Sequence, residues 1–240
     1  MLQALADSLL SIVYPQVCRV CKHGVEKHFD GVACSACWDA TTIFNGSETL
    51  CSKCGAFLDP FGGPAETLCQ TCGDHAYDTA AAVGIYEKAL VASILHLKKE
   101  PFVSKRLRNL LLRSFQNGGL VASTVVIPVP LSRKRLHERG FNQAEVIGRI
   151  LAKEFGVRLD SASLARTTHT PVHRAAMDRK ARAATVSKAF EVVRPKLVEG
   201  ERILLVDDVL TSGSTASQCA AVLKKNGAEW VGVLTLARAV

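Results

Sequence analysis

Eight of the nine cysteines in this 240-residue chain fall between positions 18 and 72, arranged as four CxxC pairs. Cys18 and Cys21 are followed after twelve residues by Cys34 and Cys37, and Cys51 and Cys54 after fourteen by Cys69 and Cys72. A CxxC turn presents two thiolates to one side of a metal ion. Two such turns complete a tetrahedral zinc site with no open position, so the metal is structural. Pairing in succession gives two zinc ribbons, while an interleaved cross-brace would use the same eight residues. Disulfides are disfavoured by the cytoplasmic setting expected of the chain. His23, His28 and His75 are then spectators, because four thiolates already fill each site. Cys219, alone downstream, reads as a small buried residue on a helix.

The cysteines also divide the chain. Residues 1–76 are rich in Gly, Thr, Asp and Pro with little helical or strand period, as expected where metal rather than a core supplies order. Charge follows the same line. Residues 1–76 carry four Lys/Arg against eight Asp/Glu, and residues 77–240 carry 26 against 14. Two tetrathiolate zinc sites would lower the first balance from −4 to −8 and the whole chain from +8 to +4. The metal-binding part is therefore a poor candidate for gripping phosphate, and the basic surface belongs to the second part. Leu2, Leu5, Leu9 and Ile12 predict an amphipathic N-terminal helix. Asp7 interrupts its apolar run, and no small-residue cleavage site follows. No uncharged apolar run is long enough to cross a bilayer, so the expectation is a cytoplasmic protein without membrane insertion.

From Thr79 onward the pattern is that of an α/β domain. Residues 79–86 suit a strand, and Leu90, Ile94, Leu95 and Leu97 follow at helical spacing. A second helix is expected over Lys105–Phe115, a buried strand over 124–129, and a helix from about Asn142 to Gly156. Arg202–Val206 then reads as a strand, followed by a polar loop, a helix from about Ser214 to Lys225 and a last strand over Trp230–Leu236. Such alternation predicts an open, mostly parallel sheet with helices on both faces and a ligand at the carboxyl ends of its strands. The expected division is 1–76 for the N-terminal helix and double zinc ribbon, and 77–240 for the α/β domain.

The stretch Arg202–Thr215, RILLVDDVLTSGST, concentrates the chemistry. Amides opening a helix and the hydroxyls of Thr211, Ser212, Ser214 and Thr215 suit a phosphate, and Gly213 lets backbone approach it closely. Asp207 and Asp208 would repel that phosphate but can accept hydrogen bonds from a vicinal diol. A ribose 5-phosphate meets both demands. Neither a Walker loop nor a GxGxxG turn is present.

VDDVLTSGST resembles the signature with which type I phosphoribosyltransferases bind phosphoribosyl pyrophosphate (PRPP). With the CxxC-rich start and PVPLSRKRLHERGFNQA at 128–144, the whole chain resembles the ComF (ComFC, GntX-like) competence-protein family. Family members usually show Gln where His173 stands and Asn where Thr185 stands. The resemblance implies Asp207 and Asp208 on the ribose diol, Thr211 to Thr215 on the 5′-phosphate, and Pro128–Arg133 as a pyrophosphate loop. In it Arg133 stabilises the leaving group, with Mg²⁺ bridging pyrophosphate and ribose. Asp207, Asp208 and Arg133 would be the catalytic set. Arg139, Asn142 and Gln143 match a family motif, and equally suit a charged loop with a helix cap at Asn142. Arg166, Arg174, Arg179, Lys180 and Arg182, with Lys188 beyond, form either a closing lid or a solvent-facing basic segment. Two functions follow: a transferase placing phosphoribosyl on a nitrogen acceptor, or a PRPP-binding adaptor that holds single-stranded DNA through its basic surface during DNA uptake.

Overall fold

The computed structural model describes residues 16–58, 68–69, 72–167 and 189–239. The N-terminal helix expected over the first 13 residues lies outside these, as do His173, Thr185 and nearly all of the basic segment that begins at Arg166. After a short helix α1 (Ser35–Asp39), the chain enters β1 (Thr79–Ala82), α2 (Lys88–Leu97), α3 (Lys105–Asn117) and β2 (Val125–Pro128). Next come α4 (Arg133–Arg139), α5 (Gln143–Phe155), β3 (Arg158–Leu159), β4 (Leu164–Arg166) and β5 (Phe190–Val192). The chain then closes with β6 (Arg202–Leu210), α6 (Ser214–Lys225) and β7 (Trp230–Arg238).

Five strands form one sheet in the order β1-β7-β6-β2-β3, every pairing parallel. A separate antiparallel pair joins β4 to β5. Side chains of a strand alternate between faces, so β6 divides its apolar residues between two cores. Leu204 and Val206 pack with Leu90, Ile94 and Leu97 of α2, Leu107, Leu111 and Phe115 of α3, and Ile147 and Leu151 of α5. Ile203 and Leu205 pack instead with Ala216, Cys219, Ala220 and Leu223 of α6. Helices therefore cover both faces, as the near-continuous apolar runs of β2 and β7 require. Cys219 is fully buried against the sheet.

Helix ends follow their caps. Ser104 accepts from the Leu107 amide to open α3, and Asn142 accepts from the Ala144 amide to open α5. Gly140 and Gly156 close α4 and α5 in the left-handed conformation that glycine adopts without a Cβ penalty. One expectation needs correction. β6 does not stop at Val206 but runs to Leu210, held by pairing of Asp207 with Thr235, Val209 with Ala237 and Leu210 with Arg238. The acidic pair thus lies inside a strand, where ladder bonds to β7 outweigh the low strand preference of aspartate.

Candidate metal centres and sugar phosphate site

The eight CxxC thiols gather into two groups in chain order, Cys18, Cys21, Cys34 and Cys37, then Cys51, Cys54, Cys69 and Cys72. This decides for successive pairing over a cross-brace. Within each group all ligand atoms lie within 4.8 Å of one another. A zinc tetrahedron with bonds of about 2.3 Å has edges near ~3.8 Å. The Sγ separations of 3.8 Å for Cys18 and Cys37, 3.6 Å for Cys21 and Cys34, 3.4 Å for Cys51 and Cys72, and 3.5 Å for Cys54 and Cys69 fit that figure. Both groups are structural zinc sites, with each ion held by four thiolates.

The two knuckles are built alike. The Cys34 amide donates to Cys18 Sγ at 3.3 Å, and the Cys69 amide to Cys51 Sγ at 3.2 Å. Cys18 N bonds to His23 O and Lys22 N to Cys18 O, while Cys51 N bonds to Ala56 O and Gly55 N to Cys51 O. Each turn needs one left-handed residue. Gly55 supplies it at φ 64° in the second knuckle, and Lys22 takes φ 68° in the first. His23 is no ligand, yet its amide and ring hold the Cys21 thiol down to about 6.

The ribbons join opposite sides of the sheet. Cys18, Cys34, Cys37 and Trp38 belong to the core shared with α2, α3 and α5, whereas Cys51, Cys54, Cys72 and Tyr77 belong to the core shared with α6. The first is clamped to α3 by Arg106, which bonds Asp30 at 3.1 Å and Asp39 at 3.0 Å and lies 5.2 Å from the Trp38 ring centre.

The second site lies where the sheet order reverses. From β2 the chain moves outward to β3, and from β6 it moves the other way to β7, so their carboxyl ends flank a crevice of the kind that binds ligands in open α/β sheets. Asp207 and Asp208 lie in the carboxyl-terminal half of β6, two residues short of its end at Leu210, on that rim. Asp208 is buried, and Lys98, just past α2, places Nζ 2.8 Å from its Oδ2. Each carboxylate also accepts an amide of its own strand, Asp207 from Asp208 N at 2.8 Å and Asp208 from Val209 N at 2.9 Å. Asp207 keeps partial exposure, but burial of its carboxyl and the adjacent Asp208 charge raise its pKa well above the usual carboxylate range. Arg166, half-buried 5.2 Å over the Phe190 ring, is an electrostatic neighbour of Asp207.

Beyond β6, Thr211, Ser212, Ser214 and Thr215 are exposed, and Gly213 is buried at φ 76°. Ser212 Oγ bonds Ser214 Oγ at 2.9 Å. Among the described residues, none accepts a hydrogen bond from the amides of Ser212, Gly213 or Thr215. These donors precede or open the 12-residue α6, where the helix dipole favours an anion. Across the crevice, Val129 N bonds Val206 O at 2.9 Å. Arg133 is exposed at the first position of α4, directly after the 129–132 turn. Asn142 does more than cap α5, because its Nδ2 donates to Val129 O at 3.0 Å and so ties that turn down. Arg139 bonds Gln143.

Lys98, His75, Tyr77 and Arg238 were not legible as site residues. Lys98 sits in a basic run that reads as surface, far from Asp208 in sequence. His75 reads as a spectator of the zinc sites, but the structure places it against Gly213: a Cβ there would lie 2.7 Å from His75 Cε1 and 2.8 Å from Tyr77 Oη.

Two family models match separate parts of the chain. The double zinc ribbon domain family matches residues 9–73 and the phosphoribosyl transferase domain family residues 142–239. DNA utilization protein YhgH of Salmonella typhi is 30% identical over 237 residues, covering 95% of this chain and 99% of that protein. Competence protein F of Haemophilus influenzae is 28% identical over 208 residues, covering 79% and 90%. Competence protein ComFC of Bacillus subtilis (strain 168) is 31% identical over 121 residues, covering 48% and 44%. With that likeness running from the first ribbon to the last strand, the chain belongs to the ComF family, in which a double zinc ribbon joins a phosphoribosyltransferase domain.

Proposed function

We propose that the crevice between β2 and β6 binds PRPP with Mg²⁺. The observation that carries this reading is the pairing of an acidic couple at the end of β6 with a hydroxyl-rich turn of unengaged amides. Asp207 and Asp208 accept from the ribose hydroxyls, and residues 211–215 hold the 5′-phosphate. The amides of the turn after β2, with Arg133, take the pyrophosphate. Mg²⁺, a hard cation that prefers oxygen ligands, would when bound supply positive charge against the pyrophosphate beside Arg133. The chain's own part is electrostatic: as pyrophosphate leaves C1 of the ribose, the two carboxylates favour positive charge growing on the sugar, and Arg133 favours charge growing on the leaving group. Lys98 holds Asp208 in place until ribose hydroxyls compete for it. A nitrogen acceptor then attacks the opposite face of C1.

The test is a titration of PRPP with and without Mg²⁺, followed by a screen of nucleobases and amines for pyrophosphate release. Saturable Mg²⁺-dependent binding supports the site, and turnover with one acceptor makes the protein a transferase. Absence of binding rejects the reading.

A second reading, an adaptor for single-stranded DNA, draws on a hollow of about 810 Å³ among α3, α4 and α5. Phe102 and Phe141 line it for base stacking and Lys153 stands beside them for phosphate, while Arg108 and Arg149 are paired with Glu154 and Glu145. Binding of oligothymidylate that weakens steeply with salt and with Phe102→Ala favours it; salt-independent or absent binding counts against it.

A further inference from the structure

The second ribbon does more than stand beside the turn after β6. Arg238, the last residue of β7, reaches both structures at once. Its Nη2 lies 3.8 Å from Cys54 Sγ, a zinc ligand, and its Nη1 donates to Thr211 O at 2.5 Å and Leu210 O at 3.3 Å. Ala239 N adds a second bond to Leu210 O at 3.0 Å.

A trans peptide is planar, with each carbonyl antiparallel to the amide of the next residue. Holding the carbonyls of Leu210 and Thr211 toward Arg238 therefore turns the amides of Thr211 and Ser212 away from it. That sets the direction in which the turn presents its donors.

The residues just past Cys72 act on the rest of the turn. His75 Nδ1 and Tyr77 Oη share a hydrogen bond of 2.6 Å, and both atoms crowd the space where a side chain at Gly213 would stand. Ala76 N donates to Ser217 Oγ at 3.0 Å, pinning the first turns of α6 to the same segment. Tyr77 is fully buried.

We propose that Arg238 and the His75–Tyr77 pair are positioning residues for the sugar phosphate, through which the zinc-filled second ribbon shapes the turn 211–215. The inference rests on the reading of that turn as the 5′-phosphate site. It places the second ribbon, but not the first, within the working parts of the PRPP site. The ribbon's negative charge does not grip phosphate itself. It anchors a cation on the far side of the turn, so that backbone donors face the ligand.

The test uses the full chain with both zinc sites filled, titrated calorimetrically with ribose 5-phosphate and, separately, with Mg²⁺ and pyrophosphate. Arg238→Met removes the charge-assisted bonds while keeping the aliphatic stem, and should weaken ribose 5-phosphate binding about tenfold with pyrophosphate affinity unchanged. Two zinc ions per chain should remain. Arg238→Lys should recover part of the loss. Tyr77→Phe, which keeps ring and volume, provides a second arm: faster amide hydrogen exchange is expected at Ala76 and Ser217, whose amides bond Ser217 Oγ and Gly213 O, and not in α5. Unchanged ribose 5-phosphate affinity in Arg238→Met, or equal loss for both ligands, overturns the positioning role. A wild-type chain that binds pyrophosphate but ignores ribose 5-phosphate instead overturns the underlying assignment of the turn.

Discussion

The two ribbons share one knuckle and differ in what they touch. The first presses Trp38 into the core and is bound to α3 through Arg106, Asp30 and Asp39. The second leans on the turn after β6, where Arg238 joins a zinc thiolate to two backbone carbonyls. A duplicated metal module can therefore divide its labour, one copy fastening the fold and the other bracing a ligand site. Each of the following experiments breaks that contrast or makes it sharper.

The largest effect is expected in the first ribbon. Trp38 is 1% exposed, and Trp38→Ala should cost about 4 kcal/mol, read as a lowered denaturation midpoint, with ligand affinity of the folded protein unchanged. Next is Arg106→Met, which leaves the buried Asp30 carboxylate without its partner and should cost about 3 kcal/mol. If either variant lost ribose 5-phosphate affinity in its folded form, the division between ribbons would fail.

At the ligand site the expected sign is opposite. Asp207 has a raised pKa in the folded protein, so between its ordinary value near ~4 and that higher value the folded state binds more protons than the unfolded one. Stability contributed by this group is fully present at low pH and is lost as pH rises through the folded pKa. Asp207→Asn should therefore raise the melting temperature at pH 7, with the gain shrinking as pH falls toward 4, and should abolish PRPP binding. A destabilised Asp207→Asn at pH 7 would contradict the assigned cause.

The smallest effect compares the knuckles directly. Lys22 holds a left-handed conformation that Gly55 occupies in the second ribbon. Lys22→Gly should be stabilising by no more than about 1 kcal/mol in thermal unfolding. Gly55→Ala should lose more than that gain, because its Cβ would lie 3.0 Å from Ala80 O.

What could be read in the sequence was local. The CxxC spacings named all eight zinc ligands, and the apolar runs placed α2, α3, α5, α6 and most of the parallel strands, but not α1 or α4, whose stretch reads as a basic loop. Asn142 was readable as a cap, because a cap acts two residues away, but its bond to Val129 was not. The end of β6 was missed for a physical reason: two aspartates in a row look like a loop, and only pairing with β7 keeps them extended. The unread site residues are all distant in sequence. Lys98 meets Asp208, Arg238 meets Cys54, and His75 meets Gly213 only after the sheet has closed. His75 was further hidden by the completeness of the zinc sites, which made any nearby histidine look idle.

The central claim is that the end of β6 holds a ribose carrying a 5′-phosphate. Isothermal titration of PRPP with Mg²⁺ into the zinc-loaded wild type and into the Asp207→Asn, Asp208→Asn double variant tests it most directly. Saturable binding by the wild type and none by the variant, with zinc content equal in both, is the predicted result. Equal affinity in the two proteins would contradict it.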